Sequence, residues 1–321
     1  MSNINQILVT GANGFVGRTL CAALGRHGHA VRGAVRSGGA GAGAGTSHMA
    51  VGEINGQTDW SAALAGVEVV IHLAARVHVM NDAASDPLAE FRRVNTAGTE
   101  HLARAAAASG VKRLIYVSSI KVNGEETRDG KKFSVSDAPA PQDAYAISKR
   151  EAELSLLRVA QETGLEVVIV RPPLVYGPGV KGNFAQMLAV VAKGIPLPFA
   201  SIYNRRDLLY VENMADALIA CATHPAAAGQ IYLICDGEAV STPDLLRRLA
   251  VAMAVPARLF PCPPILLRLA GKLAGKSPQL ERLLGSLQVD GDKIRRDLNW
   301  VPPYSLQQGL QATAEWYRKH P

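Results

Sequence analysis

Four short apolar runs rich in β-branched residues, ILVT at 7–10, VEVVIHLAA at 67–75, RLIYVSS at 113–119 and LEVVIVRP at 165–172, alternate with Ala-, Leu- and Arg-rich stretches of helical spacing. That order constrains the chain more than any other feature. Parallel neighbours cannot be joined by a tight hairpin, so each strand needs a crossover that packs back onto the sheet. The expected fold is α/β, a doubly wound parallel sheet of Rossmann type with helices on both faces and a smaller C-terminal lobe. With 321 residues, 48% of them hydrophobic and 19% charged, the chain has ample core-forming sequence, and a disordered or disulfide-stapled chain is excluded. There is no internal repeat of fixed period.

After about Pro178 the alternation loosens into pieces punctuated by glycine and proline, GPGVKGN, KGIPLPF and FPCPP. We therefore expect residues 1–178 to form the core α/β domain, and 179–321 to form mainly a smaller second lobe, with some segments returning to the core domain. The run SGGAGAGAG at 37–45 has too little side-chain area to pack and reads as a mobile loop. ILLRLAGKLAGK at 265–276 reads as an amphipathic helix covering the core of the smaller lobe, with a membrane surface or a substrate cleft as alternative occupants of its apolar side.

Cys21, Cys221, Cys235 and Cys262 show neither C-x-x-C spacing nor a histidine cluster, so no metal site or disulfide framework is expected. The first strand starts too early for a secretory signal, and there is no apolar run of membrane-spanning length, which together suggest a cytoplasmic protein without an integral membrane segment. The net charge of +7 is scattered and lacks aromatic interleaving, so it reads as solvated surface rather than as a nucleic-acid site.

Thr10 to Gly17 reads TGANGFVG, which sets Gly11, Gly14 and Gly17 between the first strand and a helix beginning near Phe15. Such a turn lets a pyrophosphate approach the backbone and sit on a helix N-terminus, where free amides and the dipole favour negative charge. Tyr145 and Lys149 in YAISK stand four apart, on one face of a helix. Tyrosine is a weak acid-base group at its usual pKa near 10, so a neighbouring ammonium is expected to favour the phenolate and bring it closer to working pH.

The GxxGxxG spacing, HLAA at 72–75, Asn95 in NTAGT, Ser119 in SSIKVNG, YAISK, and RPPLVYGP at 171–178 together resemble the extended short-chain dehydrogenase/reductase family, the NAD-dependent epimerases and dehydratases, along nearly the whole chain. The resemblance implies that Ser119, Tyr145 and Lys149 are catalytic. It implies a cofactor site drawn from Gly11, Asn13, Gly14, Phe15, Val16 and Gly17, from Arg36, Glu53 and Ile54, from Leu73, Ala74, Ala75 and Asn95, and from Val117, Ser118, Tyr145, Lys149 and Pro172. Asn95 is expected to hold the geometry of the active-site helix together with a bound water, and Ser118 to pack beside the catalytic serine. Substrate contacts are implied for Lys121, Asn123, Asn183 and Arg206, the last as a cation for a nucleotide diphosphate, and no metal is implied.

This sequence departs from the family pattern at several places: Asn123 stands where many relatives carry tyrosine, Leu174 where many sugar enzymes carry asparagine, and Asn213 where aspartate is usual. Ile120 and Lys121 occupy the places of the Asp-Glu pair that serves water elimination, so 4,6-dehydration is disfavoured. The remaining expectation is hydride transfer at the 4-position of a UDP-linked hexose, 6-deoxyhexose or N-acetylhexosamine in surface polysaccharide synthesis. A 4-ketoreductase leads, a UDP-hexose 4-epimerase is the alternative, and a non-catalytic dinucleotide-binding scaffold is a remote third reading. Because no acidic residue follows the second strand while Arg36 does, NADP(H) is favoured, with NAD(H) possible. By analogy with the family, a homodimer is expected.

Overall fold

The structure, a computed structural model, describes residues 4, 6–38, 46–77, 86–128, 130–275 and 277–320. Seven parallel strands run in the order β3-β2-β1-β4-β5-β6-β9. They are β1 (Ile7–Thr10), β2 (Val31–Val35), β3 (Thr46–Ala50), β4 (Val69–His72), β5 (Arg113–Val117), β6 (Glu166–Arg171) and β9 (Ile231–Leu233). A separate parallel pair joins β7 (Leu174–Tyr176) to β8 (Leu208–Tyr210). Among the described residues, α-helices connect and flank them: α1 (Phe15–Arg26), α2 (Ser61–Leu64), α3 (Pro87–Phe91), α4 (Gly98–Ala108), α5 (Ala144–Thr163), α6 (Gly182–Ala192), α7 (Val211–Thr223), α8 (Thr242–Ala252), α9 (Pro264–Leu273), α10 (Ser277–Leu284), α11 (Asp292–Leu298) and α12 (Leu306–Lys319).

The central strands are largely apolar because both of their faces are covered, whereas the edge strand β3, TSHMA, is half-exposed. Ile7 and Val9 of β1, Ile71 of β4 and Val168 and Val170 of β6 pack into one layer with Leu20 and Leu24 of α1 and Met214 and Leu218 of α7. Leu8, Val70, Leu114, Val167 and Ile169 point the other way, against Leu102 of α4 and Leu156 of α5. The period-two side-chain alternation thus divides each strand between two cores.

The chain then leaves the sheet and builds a third core, in which Phe184 and Leu188 of α6, Leu246 and Leu249 of α8 and Leu310 of α12 meet Tyr176 and Tyr210. It returns in α7 and in β9, which pairs with β6 through Ile169–Ile231 and Arg171–Leu233. Trp300 and Ile294 also join the first core.

One expectation falls mainly outside the described residues, and another meets a different outcome. Of the glycine-rich run at 37–45, residues 39–45 lie outside the described residues. The helix expected to cover the lobe's core is present as α9, but it buries only Leu267 and Gly271 and turns its other large apolar side chains to solvent. No helix among the described residues is long and apolar enough to cross a membrane.

Candidate active site

Strand order reverses between β1 and β4, so the loops after them diverge and leave a crevice at the carboxyl ends of the strands. The glycine turn opens this crevice. Gly11 has φ +68°, and a Cβ there would meet the backbone nitrogen of Ala74 at 3.1 Å; at Gly17 a Cβ would come within 2.1 Å of the Gly11 carbonyl oxygen. Only glycine allows both the turn and the close approach. Gly14 caps α1 without a side-chain hydrogen bond, and the first turn of α1 holds no acidic residue. Its leading amides therefore meet no carboxylate from their own first turn, which suits the pyrophosphate of a dinucleotide.

Thr10 Oγ1 accepts hydrogen bonds from the amides of Leu73 (3.2 Å) and Ala74 (3.1 Å) and lies 2.7 Å from His72 Nδ1, whose Nε2 is 3.0 Å from Thr99 Oγ1. Burial and the nearby Lys149 charge push the His72 pKa down to about 3, so this imidazole is neutral and ties β1, β4 and α4 together. Asn95 lies in a π-helical turn at Arg92–Ala97. Its Oδ1 accepts the Arg76 amide at 2.8 Å, and its Nδ2 donates to Arg76 O and to Ser148 Oγ, each at 3.0 Å. The side chain thus fixes the strand-end loop against the active-site helix, which is a positioning role.

Helix α5 begins where Asp143 Oδ1 accepts the Ala146 amide at 2.7 Å. Its register then places Tyr145, Lys149 and Glu153, spaced by four, along one face. Tyr145 is hydrogen-bonded to Ser119. Lys149 Nζ donates to Val117 O at 2.8 Å and lies 5.9 Å from the Tyr145 ring centre. The structure therefore brings Ser119, Tyr145 and Lys149 together.

Their electrostatics differ from the expectation. Burial, with Asp143 second, pushes the Tyr145 phenol well above its ordinary range, and the Ser119 hydrogen bond opposes this. Lys149 is itself pushed by burial down to about 7, with Glu153 acting the other way. Desolvation outweighs the anticipated help from the ammonium, so the phenol holds its proton at neutral pH.

Below the site lies a fully enclosed charged network that the sequence reading missed. Glu153 and Arg171 are 0% and 2% exposed and form a two-pronged pair, Nε–Oε1 2.8 Å and Nη2–Oε2 2.6 Å. Ser118 Oγ donates to Glu153 Oε1 at 2.6 Å, and Arg171 Nη1 donates to Asn123 Oδ1 at 2.9 Å. Asn123 Nδ2 in turn holds Ser134 O at 2.9 Å. Ser118 and Asn123 are consequently buried struts. The signal for Glu153 was its position one further helical step beyond Tyr145 and Lys149. On the other side of Ser119, Lys121 Nζ bonds Glu125 Oε1 at 2.7 Å and Asp143 Oδ2 at 2.5 Å.

A family model described as the NAD dependent epimerase/dehydratase family matches residues 7–235. The chain belongs to this family. It is 47% identical over 321 residues to a UDP-glucose 4-epimerase of Vibrio cholerae, covering 97% of this chain and 94% of that one. Solved structures share the fold, two of them as follows. The UDP-glucuronic acid 4-epimerase from Bacillus cereus in complex with NAD gives a TM-score of 0.79 at 22% identity, covering 98% of this chain and 96% of that one. The UDP-glucose 4-epimerase with UDP-glucose from Thermotoga maritima gives 0.76 at 24%, covering 98% and 99%.

The other expected site residues of this epimerase/dehydratase family member are spread more widely. Asn13, Phe15 and Val16 line the glycine turn, and Leu73, Ala74 and Ala75 face it from the end of β4. Pro172 is buried, with its carbonyl holding the Ile120 amide at 2.9 Å. Arg36 is exposed at the end of β2, Glu53 is exposed, and Ile54 packs against Gly98. Arg206 is largely withdrawn from solvent, donates to Gly285 O at 2.9 Å and has Glu125 and Arg282 close by. Asn183 is exposed in the first turn of α6. At the usual aspartate position, Asn213 Nδ2 donates to Asp236 Oδ1 at 2.7 Å and to Tyr304 O at 2.8 Å. Burial pushes Asp236 up to about 6, and an amide can donate to this carboxylate where a second carboxylate would repel it. No group of three or more metal-ligating side chains occurs among the described residues.

Proposed function

We propose that this chain is a UDP-hexose or UDP-N-acetylhexosamine 4-epimerase, working by hydride removal and return at C4. The observation that carries this reading is the near full-length, 47% relationship to a UDP-glucose 4-epimerase. The bonded Ser119 and Tyr145 hydroxyls beside Lys149 support it. A bound nicotinamide supplies hydride acceptance and return. Ser119 orients the sugar oxygen, Tyr145 exchanges the proton with that oxygen, and Lys149 supplies positive charge when protonated. Hydride removal requires Tyr145 as the phenolate, which a protonated Lys149 beside it favours against burial, to take the sugar hydroxyl proton; the phenol so formed gives that proton back to the developing alkoxide in the return step. Arg206 is the cation offered to the UDP diphosphate, and Lys121 and Asn183 are offered to the rest of the substrate.

Ketoreduction with NADP(H) is a second reading, favoured by Arg36 at the end of β2 without a carboxylate beside it. On either reading, residues 1–178 hold the cofactor and 179–321 mainly the sugar nucleotide, in a cytoplasmic homodimer serving surface polysaccharide synthesis. Incubating the protein with UDP-glucose, UDP-N-acetylglucosamine and a UDP-linked 4-keto sugar, each with added NADPH, decides between the two. Conversion to the C4 epimer without net consumption of added NADPH supports the epimerase, whereas stoichiometric NADPH oxidation with a 4-keto sugar alone would replace it with the reductase. If no substrate reacts, the proposal fails.

A further inference from the structure

Helix α9 carries its apolar side outward. Ile265, Leu266, Leu269 and Leu273 are 73%, 54%, 56% and 83% exposed, and Phe260, just before the prolines that start the helix, is 47% exposed. At 100° per residue the four helical side chains share one continuous arc. Leu267 and Gly271 occupy the side that packs inward, with Gly271 close against Leu280 of α10.

The arc is bordered by cations. Arg268 and Lys272 flank one edge, and both are exposed, with Arg268 paired to Glu281 at 3.1 Å. The surrounding sequence has the same character: between Asp244 and Glu281 there is no acidic residue, but Arg247, Arg248, Arg258, Arg268, Lys272 and Lys276 are all present. Arg248 is paired with Glu238 and Asp244, whereas Arg258 is exposed like Lys272. An apolar stripe bordered by cations matches an interface that is apolar below and anionic above.

We propose that α9 docks the protein on the surface of an anionic phospholipid bilayer, with Ile265, Leu266, Leu269 and Leu273 seated at the acyl boundary and Lys272 and Arg268 among the phosphates. The helix lies in the plane of the surface and does not cross it. A second copy of the chain would meet this cationic margin with its own like charge, which favours the lipid as occupant.

Flotation of the full chain with phosphatidylcholine vesicles, with and without phosphatidylglycerol, tests the proposal. The expected result is binding at least about ten-fold stronger with phosphatidylglycerol, weakened by salt, lost in Leu269→Glu, and reduced about five-fold in Lys272→Gln. Circular dichroism and turnover of a soluble UDP-sugar should stay at wild-type values in both variants. If Leu269→Glu fails to fold, the Lys272→Gln variant and the salt titration of the wild type carry the test. Absent binding, or equal binding to both vesicle types, overturns the proposal. So does a dimer that Leu269→Glu splits, or a raised KM in that variant, when the wild type binds no vesicles; these outcomes would assign the face to a second copy or to the substrate.

Discussion

Two charged clusters flank Ser119, and they do opposite things. On the Ser118 side, Glu153 and Arg171 are sealed from water and join α5 to the end of β6, with Ser118, Asn123 and the partly exposed Arg150 as further partners. On the Lys121 side, the lysine and its partners Glu125 and Asp143 are 16%, 25% and 31% exposed and stand next to the reacting phenol. A buried pair depends on full satisfaction, because either charge alone would be stranded in a low-dielectric interior. A half-open pair gains less from its partner, yet it can still act on a nearby titrating group. The inner cluster therefore serves the fold, and the outer one is placed to act on the proposed reaction through Tyr145.

That division can be broken by substitution. The largest effect is expected at the point between the clusters: Tyr145→Phe should lower turnover by about a thousand-fold while dinucleotide affinity stays within a few fold. Steady-state rates and a binding titration check it, and a near-normal rate would remove the mechanism. Next, Glu153→Gln should cost about 3–5 kcal/mol of stability by leaving Arg171 without its carboxylate. Denaturant unfolding reads this, and an unchanged midpoint with lost turnover would reverse the roles given to the two clusters.

Lys149 provides a pH test. Its folded pKa of about 7 lies below its ordinary 10.5, so the cost of burying the charge is full below about pH 7 and fades as pH rises to 10.5. Lys149→Met should accordingly gain stability relative to wild type most at acidic pH, and the gain should shrink in melts taken towards pH 10.5; a pH-independent difference would contradict it. In the outer cluster, Asp143→Asn retains a capping side chain but removes the charge that raises Tyr145. The pH limb for sugar oxidation should move down with little change in melting temperature. The smallest effect is expected far from both clusters, where Arg104 is 43% exposed and pairs with Glu100 and Glu162: Arg104→Ala should change stability by no more than about 0.5 kcal/mol.

Much of this was legible in the residues. The strands at 7–10, 113–117 and 166–171 stand out as apolar runs because both faces are buried. Strand β3, TSHMA, does not: it is an edge strand with half-exposed side chains and follows the glycine run. Strand β9 has three residues, too few to show a period. Tyr145 and Lys149 were visible by their spacing. Arg171 was visible only as part of a motif, since its partner is 18 positions away and only the packing of α5 on β6 brings the two together. The proton affinity of the phenol was misjudged for a related reason, because spacing reveals which charge is near but not how much water has been removed.

The late return of β9 has a consequence for synthesis. The strand that completes the sheet beside β6 begins 60 residues after β6 ends, at Ile231 against Arg171. At the usual pace of translation that interval is about 3–12 s. Throughout it the EVVIVR strand waits with one edge unpaired, a row of amides and carbonyls ready to accept any passing strand. The nascent chain is thus most exposed to misassembly after Ser119, Tyr145 and Lys149 have been made and before its sheet has been closed.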